Sequence, residues 1–161
     1  MNGGAASCPS SRSRPKGDAF EGAPNGTFLA ELAGISEAEL RQLVRMRNLL
    51  HRYPGPAAGK GDLFPRAEAQ AAATRESGWW REGDRVVFAG RAVAAAFGFR
   101  EREWLRWRWV RSRGGTGVWA AAFPHPSRVN QYWNDEARCR AAARFLRALV
   151  ARARLVLEDR R

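Results

Sequence analysis

Lysine is almost missing from this chain, since only Lys16 and Lys60 occur, yet Lys and Arg together number 28 against 16 acidic residues and leave a formal net charge of +12. The basic character is therefore carried by arginine. Cysteine is also scarce: Cys8 and Cys139 lie far apart without CxxC or Cys/His ligand spacing, which argues against a disulfide framework and against a zinc or iron-sulfur site. A reducing interior is expected. No apolar run is long enough to span a bilayer, and the N-terminus lacks the apolar core of a secretion signal. The expected location is the cytoplasm, with no membrane partner.

What is present in excess is positive charge, and it favours a polyanion, because each phosphate neutralised releases condensed counterions. Nucleic acid leads, with association with the nucleoid as its cellular form. A G- and C-rich coding sequence also yields Arg, Ala, Gly and Trp whatever the function, so charge alone leaves that second explanation open. At 161 residues the chain has room for one domain with a real core.

Residues 1–26 are rich in Gly, Ser, Pro and Arg without an apolar period, and read as a disordered basic tail before a domain over 27–161. Ser36 with Glu39 forms a capping box that starts a helix running toward Arg47, with Leu40, Leu43 and Val44 inward. Asn48 to Pro65 is a Gly- and Pro-rich loop, and Ala67 to Thr74 a short helix. Arg85 to Gly90 reads as a buried strand, followed at a Gly turn by a helix from Arg91 to Phe97. Leu105 to Val110 alternates apolar and charged residues, as a strand with one exposed face does.

Val118 to Phe123 is apolar without alternation, the pattern of a strand covered on both faces, and Pro124 and Pro126 end it. A last helix from Asp135 to about Leu157 puts Ala137, Ala141, Ala142, Phe145, Leu146, Leu149 and Val150 on one side and an arginine face on the other. Strand-helix alternation of this kind predicts a three-layer α/β/α sandwich around a small, mainly parallel sheet.

The most informative stretch is VWAAAFPHPSRVNQYWND, because it sets His125 on a short stiff link at the end of a buried strand. Ligands of open α/β sheets bind at the carboxyl ends of strands. Together with VVFAGRAVAAAF and YPGPAAGKGDLFP, in this order, the chain resembles the uracil-DNA glycosylase superfamily, most closely its mismatch-specific uracil/thymine branch. The resemblance covers residues 48 to 135.

The resemblance implies a uracil-DNA glycosylase-like fold and a monofunctional DNA N-glycosylase that flips an altered base from DNA and hydrolyses its N-glycosidic bond. It implies that Phe64 stacks on the base, that His125 hydrogen-bonds a pyrimidine carbonyl and stabilises the departing anion, and that Ser127 grips a phosphate. Arg128 and Val129 then occupy the wedge loop, and Lys60 lies in a glycine-flanked segment suited to DNA contact. The first motif departs from the family: where an Asp, Asn or Glu directly precedes the Pro, this chain has Tyr53, which is protonated near neutral pH. Tyr53 is then left with base contact, and Asn48 or Asp62 with the attacking water. A monomer acting on DNA, with no metal or organic cofactor, is the expectation.

Each assignment has a plainer counterpart. His125 can close a turn, Phe64 can be core, Asp62 can form an Asx turn, and the full phosphate-loop pattern is absent around Lys60. Trp104, Trp107 and Trp109 can stack on nucleobases, although their spacing suits core packing better. A binding module that recognises a lesion without cleaving it, and a protein for small nucleotides, are the two other function classes that fit.

Overall fold

The computed structural model describes residues 24–52, 55, 58, 64–112, 114–127 and 130–159. In chain order the elements are α1 (Pro24–Ala33), α2 (Glu37–Leu43), α3 (Arg66–Ser77), β1 (Arg85–Ala89), α4 (Arg91–Ala96), β2 (Arg108–Arg111), β3 (Gly117–Phe123) and α5 (Glu136–Glu158), with single 3-10 turns at Glu101–Glu103 and Gln131–Asn134. The protein is thus mixed α/β. Its described residues fall into two compact units, one drawn from 1–46 and 126–161 and the other from 47–125.

The first unit is helical. It begins with Pro24 in the first turn of α1, a position where the missing N–H costs nothing, so folded structure reaches back past the expected start at residue 27. Gly26 is buried, and the carboxylate of Glu37 lies close over it, 3.0 Å from where a Cβ would stand. Gly34 closes α1 at φ +74°, with its N–H donating to the Glu31 carbonyl and the Ile35 N–H to that of Ala30; this paired pattern satisfies the last carbonyls.

Ser36 then caps α2, its hydroxyl accepting from the Glu39 N–H at 3.1 Å as the sequence predicts, although α2 ends at Leu43 rather than near Arg47. Asp135 caps α5 by accepting from the Arg138 N–H at 3.0 Å. The buried side of α5 is Cys139, Ala142, Ala143, Leu146 and Val150. The expected face is therefore rotated: Ala142, Leu146 and Val150 are core, Ala141, Phe145 and Leu149 half-buried, and Ala137 exposed. α1 packs on α5, and Phe28 meets Trp133 edge to face at 4.9 Å, which seats the turn leading into α5. The Cys139 sulfur lies 3.3 Å from the Trp133 carbonyl oxygen, and Cys8 lies outside the described residues.

The second unit holds the sheet, ordered β1-β3-β2. β1 runs parallel to β3, with Arg85 opposite Trp119 and Ala89 opposite Phe123, and α4 lies in the connection that a parallel pair requires. β2 pairs antiparallel, Arg108 opposite Ala120 and Arg111 opposite Gly117. The sheet is mixed rather than mainly parallel because the short turn between Ser112 and Thr116, closed by a 2.9 Å backbone bond, joins β2 to β3 as a hairpin.

β2 is also shorter than the predicted strand. Leu105 adopts φ +60°, a left-handed conformation costly for a side-chain-bearing residue, and its N–H donates to Ala122 at 2.8 Å, so regular pairing starts only at Arg108. On one side of the sheet Phe88, Ala94, Phe99, Val118, Ala120 and Ala122 form the core, with Phe88 stacked on Phe97 at 4.0 Å. In β1 only Phe88 is fully buried; Val86, Val87 and Ala89 are half-buried. Leu49, Ala69, Ala72 and Ala73 make a second cluster around α3.

One prediction concerns the α1–α2 corner. Glu37 accepts from the Thr27 hydroxyl at 2.6 Å and from the Arg41 guanidinium at 2.6 Å, and these bonds, Thr27 first, hold its carboxyl below the usual range. A lowered folded pKa means that the contribution is present above the unfolded value and is lost as pH falls through the folded one. Glu37→Gln should therefore lower the melting temperature at neutral pH, with the gap to the parent chain closing as the solution is acidified; a gap independent of pH would show that Glu37 acts without its charge.

Candidate functional site

The β3 run ends at Phe123 because Pro124 follows, and Pro124 is itself fully buried. Pro126 is buried too, while His125 between them is exposed. The buried proline that ends β3 thus places an exposed histidine at the carboxyl end of a central strand.

On the neighbouring strand, β1 gives way to α4 through Gly90, whose φ of +97° and ψ of 149° lie in a region open to glycine alone. The Gly90 N–H donates to the Phe123 carbonyl at 2.8 Å, carrying the parallel ladder one step beyond the strands. A Cβ on Gly90 would sit 3.1 Å from His125 Cδ2 and 3.4 Å from its Cβ, so the imidazole rests on the bare glycine backbone. The glycine serves both the turn and the contact. The result is an exposed ring, able to donate from one nitrogen and accept at the other when neutral, at the shared carboxyl ends of two parallel strands.

The other predicted residues are dispersed. Phe64 is half-buried and packs on the cluster of Leu49, Ala69, Ala72 and Ala73. Asn48 is exposed and lines a recess of about 660 Å³ with Arg47, Leu50, His51, Arg75, Glu76 and Trp79, a wall that does not include His125. Arg47 reaches Glu76 across it at 3.4 Å. Ser127, half-buried in the helical unit, opens a turn in which its carbonyl accepts from the Asn130 N–H at 2.9 Å. Tyr53, Lys60, Asp62, Arg128 and Val129 lie outside the described residues.

Sequence reasoning missed the contact of Gly90 with His125 and the exposure of Trp79, which shows 75% of its surface beside the recess. The Gly after a strand was a visible signal for the first; the second had none. Among the described residues no group of His, Cys, Asp and Glu is placed to hold a metal ion.

Gly90→Ala should destabilise the chain by about 1–3 kcal/mol from the glycine-only backbone conformation alone, and the added methyl should also push the imidazole aside. Denaturant midpoints read the first effect and the His125 ring proton resonances the second; an unmoved His125 resonance would refute the contact.

No family model, no curated protein and no solved structure matches this chain.

Proposed function

We propose that this chain is a DNA glycosylase-like protein that takes uracil or another altered base out of the stack and hydrolyses its N-glycosidic bond. The observation that supports it best is the exposed His125 lying on Gly90 at the carboxyl ends of β1 and β3, where open α/β sheets bind their ligands. A net charge of +12 favours DNA as the partner. In this reading the described sheet and helices form part of a three-layer uracil-DNA glycosylase-like sandwich, and the protein acts as a monomer on chromosomal DNA in the cytoplasm without a cofactor.

The chemistry follows from the leaving group. As the bond between the base nitrogen and the sugar carbon breaks, its electron pair moves onto the base, and a pyrimidine carbonyl oxygen gains negative charge. The His125 N–H donates to that oxygen from a ring that already rests on Gly90. Water adds to the sugar carbon, with Asn48 or Asp62 as the polar group that orients it, and the proton that the water gives up ends on the departing base anion. Phe64 and Tyr53 are assigned to base contact, and Ser127, Arg128, Val129 and Lys60 to the DNA strand.

A second reading, recognition of a lesion without cleavage, is favoured by two observations. Tyr53 stands where the water-directing group is expected, and Phe64 is engaged by an apolar cluster rather than standing free to stack. Scoring alkali-labile abasic sites in oligonucleotides carrying uracil unpaired, in U:G and U:A pairs, and thymine in T:G separates the two. His125→Ala should retain the parent circular dichroism spectrum and lose base release by about a hundredfold or more, the scale of one lost anion-stabilising donor. Selective binding of the altered DNA without any base release would support the second reading, and release that survives His125→Ala would sink the assignment of that residue.

A further inference from the structure

The segment from Arg47 to His51 is pinned to α3 by one side chain. Leu49 is buried among Ala69, Ala72 and Ala73, and its polar neighbours are thereby held beside the carboxyl end of the helix. Segment and helix end enclose the recess of about 660 Å³, within the size range of small-molecule sites. The Arg47 guanidinium reaches Glu76 at 3.4 Å and ties the two walls together.

Trp79 belongs to this wall and keeps 75% of its surface exposed. Its backbone is fixed all the same: the Gly78 N–H donates to the Arg75 carbonyl at 3.1 Å, and the Trp79 N–H to that of Glu76 at 3.0 Å. The two adjacent tryptophans divide their roles. Trp80 stacks on Phe97 at 5.8 Å, whereas the Trp79 indole enters no ring contact among the described residues.

The charge of the wall is counted with its acid included. Glu76 cancels Arg47, and with His51 taken as neutral the charge left over is that of Arg75. Among the described residues neither the Arg75 guanidinium nor the His51 ring enters an ion pair or hydrogen bond, so their donors are uncommitted. Arg75 precedes Trp79 by one turn, because Gly78 keeps helical angles, and side chains so spaced stand about 5–6 Å apart at their Cβ atoms.

A flat ring joined to an anionic group meets both features at once. Size narrows the choice further: an isolated ring such as benzene fills a cavity of about 150 Å³, so the recess has room for a ring, a sugar and a phosphate together. We propose that this recess is a site for a single nucleotide, free or at the phosphorylated end of a strand, with its base stacked on Trp79 and its phosphate held by Arg75. The site is separate from the function proposed above, since its wall does not include His125 and it needs no base release.

The test is a calorimetric titration of the full chain with deoxyadenosine monophosphate, beside deoxyadenosine and inorganic phosphate as its two halves. Inorganic phosphate also measures the general attraction of anions to a chain of net charge +12. The parent chain should bind the nucleotide about tenfold more tightly than either half. Trp79→Leu keeps apolar bulk and removes the stacking plane, and Arg75→Gln removes the charge; each should weaken nucleotide binding by about tenfold, the scale of one lost base stack or one lost charged hydrogen bond. Both side chains are exposed, so the circular dichroism spectrum should stay that of the parent.

Two short oligodeoxyadenosines that differ only in a 5′-phosphate separate the sources of the ligand. Binding of the free nucleotide supports a soluble ligand; a preference for the phosphorylated strand that Arg75→Gln abolishes, with the free nucleotide unbound, supports a strand end. Absence of both overturns the proposal. So does equal affinity for the nucleotide and for either of its halves, or unchanged nucleotide affinity in folded Trp79→Leu or Arg75→Gln.

Discussion

Ala120, Ala121 and Ala122 lose all contact with solvent, and so does Val118 before them; the sheet depends on this strand of small side chains being hydrogen-bonded along both edges. A strand enclosed in this way must satisfy every backbone group in its ladders, since an orphaned N–H there costs the full desolvation penalty. β1 and β2 supply those partners, and their different directions follow from their links, a helix for one and a tight turn for the other. Small side chains also bring the neighbouring layers close, which is how Phe88 and Phe99 come to pack in one cluster with Ala120 and Ala122. Larger residues there would overfill a space already closed on each side.

From that pairing the candidate site follows. The register that sets Ala89 opposite Phe123 brings the next residue, Gly90, within hydrogen-bonding reach of Phe123 and under His125. His125 therefore takes its position from the whole β1–β3 ladder rather than from its own turn alone. The buried rings of Pro124 and Pro126 restrict the backbone on either side of it. A group restrained in this way loses little further freedom when a ligand arrives, which is the advantage of a site built on a rigid strand end.

Signals that are local in sequence were readable and hold: the Ser36 cap, β1 with its following Gly turn and α4, the apolar run of β3, and the start of α5 at Asp135. The misreadings share a physical cause, a tertiary contact overriding a local preference. Leu105 continues an alternating pattern while its backbone turns left-handed to bond Ala122. The face of α5 shifted because small residues such as Cys139 and Ala143 carry little hydrophobic signal yet allow the closest packing. In the site, His125 could be singled out from its prolines, but its seat on Gly90 depends on a register between strands distant in the chain. Of the first motif only the flanks can be compared with the structure, and they place Phe64 in a cluster and Asn48 in a separate recess.

One strand thus meets three different demands along its length. At its start, Gly117 yields room to Trp109 and Trp119 remains exposed; at its middle, alanines admit no solvent; at its end, a proline stops the ladder and an imidazole turns outward. The middle is enclosed on both faces, whereas Trp119 keeps 40% of its surface exposed while packing edge to face on Trp109, and His125 is exposed at the far end. β3 therefore combines a fully enclosed middle, whose two ladders complete the sheet, with ends whose side chains are only partly covered.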